Sequence, residues 1–141
     1  MLGVDDLAIN REILRAHLAR FDIPSVEVAE GAAALAALAA AETDGKAFAG
    51  VIIDRRLGAN SGLALAQAIR ARGGEAPRLI LFSSGEGPDG PPPFKLFDAV
   101  LLKPVMPARL HEAVRHAFSG RKPRVEPLAE LARGAPVLRV L

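Results

Sequence analysis

The chain has no cysteine, which excludes a disulfide framework, thiol catalysis and any zinc–thiolate centre. It also lacks Trp and Tyr, and six Phe leave too few aromatic faces for a single-strand nucleic-acid binder built on stacking. Histidine is limited to His17, His111 and His116, too scattered to suggest a metal cluster and read as helix-surface residues. The longest unbroken apolar run, Ala32 to Ala41, is ten residues and too short to span a bilayer. No basic-then-apolar leader opens the chain, so a cytoplasmic protein, or a soluble piece of a larger one, is expected, with no membrane contact.

What remains is 141 residues, 50% hydrophobic and 24% charged, enough for one domain with a buried core and little more. The pI near 9.5 suggests a polyanion partner until it is divided by region. Residues 119–141 carry Arg121, Lys122, Arg124, Arg133 and Arg139 against Glu126 and Glu130, a net of +3. Positions 1–118 carry 13 basic and 14 acidic residues, a net of −1. The basic character therefore sits in the tail, where a solvated linker explains it, and DNA is not an expected partner.

Apolar segments alternate between strand-like and helix-like periods. Leu2 to Val4 is a short apolar stub, and Ile9, Ile13, Ala16 together with Leu14, Leu18, Phe21 recur at helical spacing to give an amphipathic first helix. Val26 to Ala29 reads as a short strand, and Gly31 to Glu42 as an Ala/Leu-rich helix. Val51-Ile52-Ile53 stops at Asp54, Leu63 to Arg72 is helical with Gly73-Gly74 beyond it, and Leu79 to Phe82 is a continuous apolar strand before Ser83. Val100-Leu101-Leu102 runs into Lys103-Pro104, and Pro107 opens a last helix with the buried stripe Leu110, Ala113, Val114, Ala117. Most of these strands are apolar runs without alternation, as parallel strands covered on both faces should be. An open parallel α/β sheet with helices on both faces follows.

In such sheets the functional crevice lies beyond the carboxyl ends of the strands. Asp5-Asp6, Asp54, Ser83 and Lys103 each follow a strand, so four strand ends deliver three carboxylates, a hydroxyl and an ammonium to one edge. Carboxylates gathered this way repel one another unless a cation sits among them, and Mg²⁺ prefers oxygen ligands with room for water. A single lysine offsets part of the charge and can hold a phosphoryl oxygen. The residues point to Mg²⁺-assisted phosphoryl transfer onto Asp54.

At Asp5-Asp6, Asp54, Gly62 eight residues on, Ser83 and Lys103-Pro104, positions 1–118 resemble the receiver domain of two-component response regulators. The segments Val4 to Arg11 and Phe97 to Val105 resemble receivers attached to hybrid histidine kinases. The resemblance implies a flavodoxin-like (βα)5 fold with strand order 2-1-3-4-5. It implies Asp54 as acceptor of a phosphoryl group from phosphohistidine on a histidine kinase or histidine phosphotransfer protein. It further implies Mg²⁺ held by Asp6, by Asp5 through water, by Asp54 and by the backbone carbonyl of Arg56. Ser83 and Lys103 are implied to bind the arriving phosphoryl group, and the Lys103-Pro104 peptide to be cis. Such a module transfers a phosphoryl group to itself and is not an enzyme with an external substrate.

The chain departs from the family in several places. Position 58, usually Pro, is Gly; Arg55 and Arg56 are unusually basic neighbours for Asp54, able to attract a phosphodonor or shield the phosphoaspartate. Val100 stands where a switching Tyr or Phe is common. The fourth helix is degraded by the Gly/Pro-rich stretch Gly85 to Pro93, which alters the usual output surface. Beyond the domain, 119–135 reads as a linker, and 136–141 as a strand-like segment, expected to be the first strand of a tandem receiver or a point of self-association at a sheet edge. Both ends read as cut from a longer protein. The alternative is a degenerate receiver that binds a protein or ligand without phosphorylation. A haloacid-dehalogenase-like phosphatase needs a second Asp where Arg56 stands, and a nucleotide carrier needs a Gly-rich loop where the chain has Asp5-Asp6-Leu7-Ala8.

Overall fold

The computed structural model describes residues 1–57, 60–72, 77–83, 96–104 and 106–119. Strand β1 (Leu2–Val4) leads to α1 (Ala8–Arg20), β2 (Val26–Val28) to α2 (Gly31–Thr43), and β3 (Gly50–Asp54) to a two-residue antiparallel ladder, β4 (Arg56–Leu57) with β5 (Asn60–Ser61). Helix α3 (Gly62–Ala71), strands β6 (Arg78–Ser83) and β7 (Ala99–Leu102), and helix α4 (Pro107–Ala117) complete it. The five long strands form one parallel sheet in the order β2-β1-β3-β6-β7. With the small ladder set aside, this is the expected 2-1-3-4-5 order.

The apolar strand runs are explained by coverage on both faces. Successive residues of a strand point to opposite sides, so Val51, Ile53, Leu79 and Leu81 pack with Ala34 and Leu38 of α2 and Leu65 and Ile69 of α3. On the other side, Ile52, Ile80 and Phe82 pack with Leu14 and Leu18 of α1 and with the α4 stripe Leu110, Ala113, Val114 and Ala117. Each fully buried Leu or Ile contributes about 1.5–3 kcal/mol by its removal from water.

Helix α1 differs from its sequence reading. Of the two interleaved apolar sets, Leu14 and Leu18 are buried, whereas Ile9 is 59% and Ile13 37% exposed. At 100° per residue the two pairs project about 140° apart, so one helix cannot bury both against a single sheet face. The histidines are half-buried, and His111 stacks on Phe21 with ring centroids 4.1 Å apart, joining α4 to the end of α1.

Asp98, just before β7, accepts from the Leu79 N–H through Oδ2 at 2.8 Å while its own N–H donates to the Leu79 carbonyl at 2.7 Å. Arg70 of α3 bonds the same carboxylate at 3.1 Å and the Leu96 carbonyl, tying β7 into the sheet from outside. The Lys103–Pro104 peptide is cis, as expected. The Gly85–Pro93 stretch expected to degrade the fourth helix lies outside the described residues, as do residues 120–141 with the expected linker and terminal strand. Among the described residues no helix is long and apolar enough to cross a membrane.

Candidate functional site

The end of β1 passes directly into Asp5 and Asp6, and the end of β3 is Asp54 itself. Neighbouring parallel strands in register (Val4 opposite Ile53) bring these residues together, and carboxylate oxygens of Asp5, Asp6 and Asp54 all lie within 4.8 Å of one another. Asp5 and Asp54 are buried, at 4% and 6% exposure, while Asp6 is open to solvent. From the end of β7, Lys103 donates its Nζ to Asp54 Oδ1 at 3.0 Å. The Arg56 N–H lies 3.4 Å from the same oxygen. Arg56 is exposed and is the first residue of β4, so its carbonyl stands two residues beyond Asp54 at the start of the small ladder.

The chain passes close behind Asp54. A Cβ on Gly62 would stand 2.1 Å from the Asp54 carbonyl oxygen, so only glycine lets α3 begin there. The Gly62 N–H donates to the Arg55 carbonyl at 2.8 Å, and the Ser61 side chain caps the helix by accepting from the Leu63 N–H. Ser83 ends β6 one residue beyond the partner of Asp54; it is buried, with 1% exposure. The five side chains singled out in the sequence therefore all stand at the ends of β1, β3, β6 and β7.

The electrostatics of the cluster are uneven. Burial, chiefly, pushes the Asp5 carboxyl above the ordinary carboxylate range, and the charge of Asp54 pushes the same way. The Leu7 N–H, the Lys103 ammonium and the Asn10 amide oppose it. Holding Asp5 ionised in this position costs free energy that a cation among the three carboxylates would return.

One expectation needs adjusting. The sequence offers Arg55 and Arg56 together as basic neighbours able to attract a phosphodonor or shield the phosphoaspartate, but Arg55 is only 6% exposed. Its N–H donates to the Phe82 carbonyl, so it continues the sheet pairing just beyond β3, and Arg56 alone of the two faces solvent. Asn10 and Arg11 lie in the Val4–Arg11 segment that carries the resemblance, but the sequence gives them no role at the site. Arg11 Nη1 donates to the Asp5 carbonyl at 2.8 Å, and Asn10 Nδ2 lies 3.4 Å from Asp5 Oδ1. The pair was visible five and six residues after Asp5, one helical turn into α1, but nothing in the pattern assigned it a task.

No protein-family model and no curated protein sequence matches the chain. Solved structures do. The chain is similar to a CheY-like response regulator receiver domain from Methylobacillus flagellatus, at 25% identity and a TM-score of 0.69, over 82% of this chain and 95% of that one. The fold is that of a receiver domain. The receiver TrrA from Thermotoga maritima, solved in complex with Mg(2+)-BeF, is similar at 23% identity and a TM-score of 0.67, over 82% of this chain and 96% of that one. The BeF3-activated receiver domain of RstA from Klebsiella pneumoniae is similar at 20% identity and a TM-score of 0.67, over 84% and 97%. In this receiver fold the acidic cluster and Lys103 occupy the crevice at the carboxyl edge of the sheet.

Proposed function

We propose that the chain is a phosphoacceptor module of a two-component phosphorelay, with Asp54 receiving a phosphoryl group from phosphohistidine on a histidine kinase or phosphotransfer protein. The observation that carries this is the Lys103 ammonium, 3.0 Å from Asp54 Oδ1, within a cluster of three carboxylates at adjoining strand ends. A carboxylate oxygen of Asp54 attacks phosphorus, the P–N bond to the imidazole breaks, and the imidazole leaves with that electron pair. An aspartyl phosphate and a neutral histidine result after a proton is taken up.

The donor set suits Mg²⁺, being made of oxygens with one carboxylate open to solvent. Asp5, Asp6, Asp54 and the Arg56 carbonyl would hold the ion, which when bound would offset part of the charge of the carboxylates and of the transferred group. The likeness to TrrA, solved with Mg(2+)-BeF, supports that assignment. The Lys103 ammonium shifts its hydrogen bond from Asp54 Oδ1 to an incoming phosphoryl oxygen, and the Ser83 hydroxyl, carried by the neighbouring strand end, donates to another. Exposed apolar residues on the elements that carry Asp5, Asp6 and Lys103 (Leu7, Ile9 and Ile13 around α1, Met106 before α4) favour a protein donor over a free small molecule. The module turns over no external substrate, and the resemblance around Val4–Arg11 and Phe97–Val105 favours a cytoplasmic place within a hybrid histidine kinase.

Adding beryllium fluoride with Mg²⁺ to ¹⁵N-labelled protein tests the reading. Amide shifts should cluster at residues 5–7, 54–56, 83 and 103 and vanish in Asp54→Asn. Shifts absent from the wild-type protein, or unchanged by Asp54→Asn, would overturn it.

A further inference from the structure

Asp5 is tied down by an unusual number of its own atoms. Its N–H donates to the Val28 carbonyl of β2 at 3.1 Å. Its carbonyl accepts from Arg11 Nη1 at 2.8 Å. Its Oδ1 accepts from the Leu7 N–H at 3.0 Å and faces Asn10 Nδ2 at 3.4 Å. Among the described residues, the hydrogen bonds to the Asp5 carboxylate both reach Oδ1 and leave Oδ2 to the crevice. Arg11 and Asn10 sit in the first turn of α1, and the Arg11 N–H itself starts that turn by donating to the Leu7 carbonyl. The loop from β1 into α1 is thus closed by side chains that reach back to one residue.

We infer that Arg11, assisted by Asn10, is a positioning residue for the metal site: it fixes the backbone and one carboxylate oxygen of Asp5 so that the other oxygen is presented to the cation. The inference rests on the proposal that Mg²⁺ occupies the carboxylate cluster. The guanidinium acts in two ways. Its bond satisfies the Asp5 carbonyl where the chain leaves the sheet, which stops the loop from turning that oxygen inward in place of the carboxylate. Its positive charge, held at a backbone atom and not on the carboxylate, lowers the mutual repulsion of Asp5, Asp6 and Asp54 without competing for the oxygens the metal needs. Leu7 and Asn10 then occupy Oδ1, leaving a single orientation for the carboxyl group. Partners of this kind around a metal ligand commonly govern affinity by about 10- to 100-fold.

The test measures Mg²⁺ affinity of the full chain by calorimetric titration, with the melting temperature of each metal-free protein recorded alongside. Arg11→Ala should weaken Mg²⁺ binding about tenfold and Asn10→Ala by less, while Arg11→Lys, which keeps a donor and the charge, should recover part of the loss. Melting temperature alone would fall if Arg11 served only the loop; unchanged affinity in both Arg11→Ala and Asn10→Ala overturns the inference. Should Arg11→Ala fail to fold, Arg11→Lys and Asn10→Ala decide it, since an affinity equal to that of the parent in both is the contrary result. Parent protein that binds no Mg²⁺ overturns the metal reading and this inference together, whereas parent binding with indifferent variants overturns this inference alone.

Discussion

Asp5 shows how one residue can be poorly suited to the metal-free fold and well suited to the site. Its carboxyl is held above the ordinary value of 3.8, first by burial and then by the charge of Asp54. The folded state therefore keeps a proton on Asp5 at pH values where the unfolded chain has lost it. Stability contributed by the protonated form is present below the unfolded value and is lost as pH rises through the folded one. In metal-free buffer, Asp5→Asn should melt higher than the parent at neutral pH, and the difference should shrink as the pH falls towards the ordinary carboxylate value. Thermal melts by circular dichroism in the presence of a chelator check this; a variant that melts lower than the parent at neutral pH would contradict the electrostatic account. Legibility at this scale followed position. Asp5, Asp54, Ser83 and Lys103 are each the first polar side chain after an apolar run, so the end of the run located them. Arg55 was not legible, because adjacency to Asp54 in sequence says nothing of burial when successive residues of an extended chain face opposite ways. Arg11 was not legible either: a bond to a backbone carbonyl exists only once α1 is docked beside β1.

Among the elements, α1 and α4 make an instructive contrast. The α4 stripe Leu110, Ala113, Val114, Ala117 was read in full and is buried in full, because the helix carries one apolar set and Pro107 marks its first turn. In α1 two sets share the same period, and periodicity cannot say which faces the sheet. The structure assigns Leu14 and Leu18 to the core and leaves Ile9 and Ile13 outward. Leu18, fully buried against Ile52 and Ile80, should cost about 2–5 kcal/mol on change to Ala. Ile13→Ala should stay within about 0.5 kcal/mol of the parent in denaturant unfolding. The reverse ranking would mean that α1 is turned the other way. A loss of phosphotransfer from a protein donor in Ile13→Ala, with stability intact, would be the mark of a docking face. The small β4–β5 ladder went unread because two-residue strands have no period to detect; what positions it is Gly62, which alone allows α3 to start against the Asp54 carbonyl.

At the scale of the whole molecule, the sheet order places the acidic pair of β1 beside Asp54 of β3 and delivers Lys103 from the strand beyond β6. β1, β3 and β7 are not consecutive strands of the chain, so the site exists only once the sheet order is formed. The first apolar cluster draws on all five strands of the main sheet and the second on β3, β6 and β7, so loss of either face loosens strands that carry the carboxyl edge. The order itself was legible through the resemblance, and the parallel character through the unbroken apolar runs. A saturating cation at the cluster is linked to the same global equilibrium, adding about 2.7 kcal/mol at a hundredfold excess over its dissociation constant. The central claim is that this assembly makes Asp54 a phosphoryl acceptor. Intact-protein mass after incubation with a small acyl phosphate, with and without Mg²⁺, tests it on the parent chain and on Asp54→Asn. The account predicts a gain of one phosphoryl group that requires both Mg²⁺ and Asp54. A folded parent that gains nothing, or an Asp54→Asn protein that gains as much, would contradict it.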